Sequence, residues 1–141
     1  MLKNIPACLS PDLVHVLMSM GHGDEIVIAD GNFPGDSNND LVVRADGLGV
    51  PELLSAILTL LPLDRYSDWQ AGLMETVAGD PTPEIWQTYE EILAAAEGKV
   101  EITKFERFAF YEQAKKAFAV VLTSETALYG NIILKKGVVT P

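Results

Sequence analysis

Residues Met20 to Asp30 read MGHGDEIVIAD. The run EIVIA, Glu25 to Ala29, is continuously apolar after its first residue, without the in–out alternation of a half-exposed strand. It therefore reads as a strand covered on both faces, as in a parallel sheet flanked by helices. Ahead of it, Gly21-His22-Gly23 reads as a helix stop. Ser10 is placed to cap the preceding helix and Pro11 suits its first turn, with Leu13, Val14, Leu17 and Met20 as the buried stripe and His15 off it.

Downstream, the same alternation of strand and helix continues. GNFPGDSNND (31–40) reads as a loop, LVVR as a short strand, and Pro51 to Leu61 as a helix apolar on most sides, either deeply packed or at a subunit contact. A strand is expected within WQAGLMETV. A helix is expected from Pro83 to Glu97, with Thr82 available to cap it and Gly98 to stop it. VEITKF reads as a strand, and ERFAFYEQAKKAF as a helix with Phe110, Ala114 and Ala117 on one face. AVVLT and NIILKK read as strands around the loop SETALYG. This order predicts one domain over residues 1–141, a three-layer α/β/α fold on a mostly parallel sheet of about six strands.

Composition narrows the function. Hydrophobic residues make up 48% and charged ones 21% of 141 residues, as in ordinary globular proteins. Ten Lys and Arg against 20 Asp and Glu give a net charge of −10, a poor match for nucleic acid or anionic lipid. One cysteine, Cys8, and two histidines give neither a disulfide nor a recognisable metal set. No glycine-rich nucleotide loop and no nucleophile-elbow serine is present. The expectation is a cytoplasmic domain without metal or cofactor, acting on a small neutral metabolite.

Several residues are candidates for that work. His22 is either a loop histidine behind a helix-stopping glycine or a proton-transfer group with space cleared on both sides. Phosphorylation on its imidazole is a third use, which the acidic GHGDE surroundings disfavour. Asp30 ends its strand, where ligands of α/β sheets bind, yet an aspartate also commonly bonds turn amides there. Asp24 and Glu25 read as turn and strand-edge solvation. Arg107 and Tyr111, four apart, share a helix face, and Tyr129-Gly130-Asn131 offers a phenol, a close-approach glycine and an amide.

Six blocks taken in order, SPDLVHVLMSMGHGDEIVIAD, NFP, RADGLGVPELL, LLPLD, RFAFYEQAKKAFAVV and YGNIILKKGV, make the chain resemble the D-ribose pyranase / L-fucose mutarotase family from Ser10 to Val138. The likeness falls on the fucose side, since the ribose branch usually carries a histidine in place of Arg107. The resemblance implies interconversion of the α and β anomers of a free sugar, L-fucose or a related monosaccharide such as D-ribose, through the open-chain aldehyde. It makes His22 the proton donor, and Asp30, Arg107, Tyr129, Gly130 and Asn131 the sugar contacts. The partner base stays open among Tyr129, Tyr111 and water. It also implies a homo-oligomer, often a decameric ring, with the site in a cleft between subunits. A sugar-binding or transport accessory without catalysis is the alternative.

Overall fold

The computed structural model describes residues 1–141 and holds six strands in one sheet. In chain order the elements are α1 (Pro11–Ser19), β1 (Glu25–Ala29), α2 (Gly35–Asn38), β2 (Val42–Ala45), α3 (Val50–Leu58), β3 (Ala71–Met74), α4 (Ile85–Glu97), β4 (Ile102–Phe105), α5 (Arg107–Lys116), β5 (Ala119–Thr123) and β6 (Ile132–Lys135). The strands lie in the order β2-β5-β1-β6-β3-β4. β6 runs antiparallel to both neighbours, and the other five strands share one direction. Its reversal has a local cause. Residues 124–131, between β5 and β6, contain no helix to carry the chain back along the sheet, so β6 starts where β5 ended and returns.

β1 lies inside the sheet and is buried from Ile26 to Ala29. Its side chains alternate between two cores. Ile26 and Ile28 join Val121, Ile132 and Leu134 under α1, α3 and α4, while Val27 and Ala29 join Val120, Leu122 and Ile133 under α5 and Phe33. These are the three expected layers.

Most elements fall where the sequence puts them, with four corrections. In α1 the buried stripe is Leu13, Val16 and Leu17, whereas Val14 is only half-buried. The segment read wholly as loop contains α2, whose Asn38 Nδ2 donates back to the Pro34 carbonyl at 2.8 Å. α4 begins at Ile85 rather than Pro83, and Thr82 does not cap it. The chain enters through tight turns, from the Trp86 amide to Pro83 O and the Gln87 amide to Glu84 O, and no side chain caps the helix. α3 runs from Val50 to Leu58 rather than from Pro51 to Leu61, and it buries Val50, Leu53, Leu54, Ala56, Ile57 and Leu58 within its own chain, the deep packing that is one of its two readings.

Candidate active site at the two ends of the sheet

The Gly-His-Gly turn stands at the amino end of β1, beside the carboxyl end of β6. The Gly23 amide donates to Lys136 O at 2.8 Å, and the Lys136 amide donates to Asp24 O at 2.8 Å. Gly23 has φ +87°, a left-handed conformation that a side chain would strain. Asp24 closes the turn by accepting from the Gly21 amide at 2.7 Å. The turn lifts the His22 ring into solvent, its side chain 46% exposed, while its Nε2 sits 2.9 Å from Oδ1 of Asp64.

Asp64 is the group that sequence reasoning missed. It lies 42 positions from His22 and ends the block LLPLD, where only the family likeness of the block was used. Its amide bonds Lys135 O at 2.9 Å, and Leu63 bridges Lys136, so β6 fixes both halves of the pair. The Asp64 side chain is 8% exposed. Burial works to raise its carboxyl, but hydrogen bonds from His22 and the Tyr66 amide, with the charges of His22 and Lys135, bring it below the ordinary aspartate value. An ionised Asp64 requires the proton on Nε2, which leaves Nδ1 as the free ring nitrogen. Tyr66, largely exposed, meets the imidazole edge-on at 5.6 Å.

The remaining candidates gather at the opposite end. Asp30 follows the carboxyl end of β1, and Asn131 precedes β6 beside it. The Asp30 amide donates to Asn131 Oδ1 at 2.8 Å, which turns the Asn131 amide nitrogen toward the Asp30 carboxyl. Burial pushes the Asp30 carboxyl up, opposed by bonds from the amides of Asn32, Gly130 and Phe33 and from Asn131. Its turn-bonding role and its place at the strand end therefore coexist.

Two residues three apart on α4 hold the next turn: Trp86 Nε1 donates to Tyr129 O at 3.0 Å, and Tyr89 Oη donates to Gly130 O at 2.7 Å. Sequence reading gave neither a role. Tyr129 has φ +56°, unusual for a bulky residue, and this clamp holds it there. A Cβ at Gly130 would lie 2.9 Å from Ala127 O, so the close-approach glycine has a definite cause. The Tyr129 hydroxyl donates to Asp80 and accepts from the Val77 amide at 3.3 Å.

Arg107 Nε donates to Tyr111 Oη at 3.0 Å, the shared helix face the spacing predicts. Phe33, from the NFP block, is buried against Tyr111 with ring centroids 5.6 Å apart. The bond to Tyr111 strengthens the hold of the Arg107 guanidinium on its proton, and Tyr129 adds to it. Arg107, Tyr111, Tyr129 and Asp80 thus form one polar rim. Beside it, a cleft of about 420 Å³ is lined by Asp80, Pro83, Ile85, Leu128 and Tyr129.

The five-residue β1 separates the two ends, so His22 and Asp30 stand on the order of 20 Å apart. One chain brings Asp30, Asn131, Tyr129, Gly130, Arg107 and Tyr111 together and leaves His22 away from them. No three His, Cys, Asp or Glu side chains converge in a metal-binding arrangement, and no helix is long and apolar enough to cross a membrane.

Residues 3–139 match the model of the RbsD / FucU transport protein family. The chain belongs to that family. A human relative called fucose mutarotase is 56% identical over 97% of this chain and 94% of its own. An L-fucose mutarotase from Histophilus somni strain 2336 is 47% identical over 98% of this chain and 97% of its own. Among solved structures, the fucose mutarotase of Streptococcus pneumoniae in complex with L-fucose superposes with a TM-score of 0.96 at 52% identity. That match covers 99% of this chain and 100% of the other. The family match over residues 3–139 spans both ends of the sheet, the His22 turn and the Tyr129–Asn131 rim alike.

Proposed function

We propose that the chain is an isomerase that interconverts the α and β anomers of L-fucose through the open-chain aldehyde, and that it works as a homo-oligomer. The observation that carries this reading is the His22–Asp64 pair, a solvent-facing imidazole seated on a nearly buried carboxylate. Such a pair fixes the ring's tautomer, with Nε2–H held on the carboxylate and Nδ1 left to meet a substrate, as a positioned proton-transfer group requires. The names and the L-fucose complex of the relatives support the choice of sugar.

Ring opening breaks the bond between the anomeric carbon and the ring oxygen. His22 delivers a proton from Nδ1 to that oxygen while the anomeric hydroxyl loses one, and closure on the other face of the aldehyde inverts the anomer. A positioned acid of this kind typically contributes about 10²–10⁴ in rate. Asn131 and Asp30 hold hydroxyls, and Arg107 donates to a neutral sugar oxygen. The polar rim of one copy takes its imidazole from another, in the ring assembly the family resemblance implies. Phe108, Leu128 and Val77, all exposed around the rim, are apolar surface for such a neighbour to cover.

The test is anomer exchange of L-fucose followed by NMR saturation transfer, with D-ribose and D-galactose run beside it. Wild-type protein is expected to accelerate exchange, and His22→Asn to lose the acceleration while keeping the fold. Unfolding and refolding His22→Asn together with Asn131→Ala is expected to restore roughly a quarter of the sites, those pairing an intact imidazole with an intact rim from another copy. Full activity in His22→Asn would remove the imidazole from the reaction. Saturable fucose binding without faster exchange would make the protein a sugar-binding accessory. No recovery on mixing would place the whole site in one chain.

A further inference from the structure

Three glycines from three separate segments close on one residue that has no part in the reaction described so far. A Cβ at Gly31 would lie 3.3 Å from Glu125 O, one at Gly49 3.2 Å from Glu125 Oε2, and one at Gly130 3.2 Å from Glu125 Cγ. Glu125 is half-buried in the turn after β5 and fills this junction with hydrogen bonds. Its Oε1 accepts from the amides of Thr126 at 2.9 Å and Ala127 at 3.0 Å, and its Oε2 accepts from the Val50 amide at 3.2 Å. The Glu125 carbonyl accepts from the Gly31 amide at 2.8 Å. Its amide donates to Thr123 Oγ1 at 3.0 Å, and that hydroxyl donates to Ala29 O at 2.8 Å.

We infer that Glu125 is a positioning residue for sugar binding, tying the segments that carry Asp30 and Asn131 to the start of α3. This rests on the mutarotase reading above. Gly31 follows Asp30 and Gly130 precedes Asn131, so each sugar contact sits one residue from backbone packed against Glu125. α3 begins at Gly49 with no side-chain cap from its own neighbourhood, and Glu125, 75 positions from Val50, supplies an acceptor for its first turn. Val50, Leu53, Leu54 and Ile57 of that helix are wholly buried. The rim is therefore referred to a rigid element of the core rather than to its own loop.

The junction calls for a carboxylate. Three N–H donors converge on its two oxygens, and a group that only accepts satisfies all three. A glutamine of the same shape has one oxygen, so its NH2 must face either the Val50 amide or those of Thr126 and Ala127, donor against donor. Glu125 makes no bond to the His22 turn or to α5, which carries Arg107 and Tyr111. Loosening the junction therefore acts on how the sugar is held, ahead of the chemical step.

Glu125→Gln, Glu125→Asp and Ser124→Ala separate positioning from plain stability. Ser124 Oγ accepts from the Gly47 amide at 2.8 Å, a neighbouring loop bond that touches neither sugar contact. In Glu125→Gln the KM for L-fucose exchange is expected to rise roughly 5- to 30-fold, with kcat within about 3-fold of wild type, the pattern of lost uniform binding. Glu125→Asp still accepts from the amides one and two positions on but is a methylene short of Val50. It isolates the tie to α3, and its KM is expected to rise roughly 2- to 5-fold. Ser124→Ala is expected to lower Tm and leave KM at the wild-type value. Wild-type KM in either Glu125 variant, or an equal rise in Ser124→Ala, would overturn the positioning role while leaving the mutarotase reading in place. Wild-type protein that accelerates no exchange would overturn the parent reading, and the positioning role with it.

Discussion

Tyr89→Phe is the sharpest probe of how the rim is held. The ring of Tyr89 is fully buried, and its hydroxyl donates to Gly130 O at 2.7 Å. The substitution keeps the ring and its packing and removes one oxygen. The gap is roughly one atom, smaller than a water's share of about 30 Å³, so solvent does not take over the bond. Gly130 O is left without its donor, which costs about 1–3 kcal/mol for a buried carbonyl. Unfolding entropy near 2.1 cal/mol/K per residue gives about 0.3 kcal/mol/K for 141 residues, so Tm should fall about 3–10 °C. Burial raises the Tyr89 phenol far above its ordinary value, so it stays a donor and the loss should be the same from about pH 6 to pH 9. Because Gly130 lies between Tyr129 and Asn131, KM for fucose should also rise. Calorimetry and the exchange assay read both effects. A Tm within about 1 °C of wild type would refute the claim that α4 clamps the rim.

Two further outcomes follow from the charges. Asp64→Asn keeps an acceptor for His22 Nε2–H but removes the charge facing the imidazolium. The gap between a charged and a neutral hydrogen bond, about 1–2 kcal/mol, predicts roughly 5- to 30-fold slower exchange, and unchanged kcat would show that Asp64 only props the ring. Glu25 is half-buried, with Gln113 Nε2 donating to it at 3.0 Å, and burial raises its carboxyl above the ordinary 4.5 despite the nearby Lys135. Folding thus favours its protonated form, so its stabilising contribution is full below pH 4.5 and is lost as pH rises through the higher folded value. Glu25→Gln should therefore gain on wild type in denaturant midpoint as pH rises above 4.5, and parallel curves for the two proteins would contradict this.

The layers of the fold were legible because they depend on local pattern. IVIA and AVVL are apolar without a break, and two covered faces are the stable setting for such strands. The direction of β6 was not legible. NIILKK pairs equally well either way, and its reversal depends on the helix-free 124–131 segment meeting the free side of β1. The start of α4 was misjudged for a similar reason, as Thr82 is a good capping residue in a chain that Pro81 and Pro83 keep from turning there.

Legibility of the site follows the same division between local and long-range order. Arg107 and Tyr111 are one helical turn apart, so spacing alone predicts their bond. His22 and Asp64 are 42 residues apart and meet only because both are tied to Lys135 and Lys136 at the end of β6. Tyr129 and Asp80 are 49 apart and meet only because α4 pins the turn that carries Tyr129. In both pairs the candidate group stood out by type, a histidine between glycines or a tyrosine before a glycine. The carboxylate bonded to it did not, because an aspartate among 20 acidic residues carries no mark of its own. β1 then separates the two pairs by its own length, so the strand that organises the core also holds them at opposite ends of the sheet within one chain. A fold built this way cannot place a sugar between His22 and Tyr129 of the same copy, and the mixing of half-site variants bears directly on that constraint.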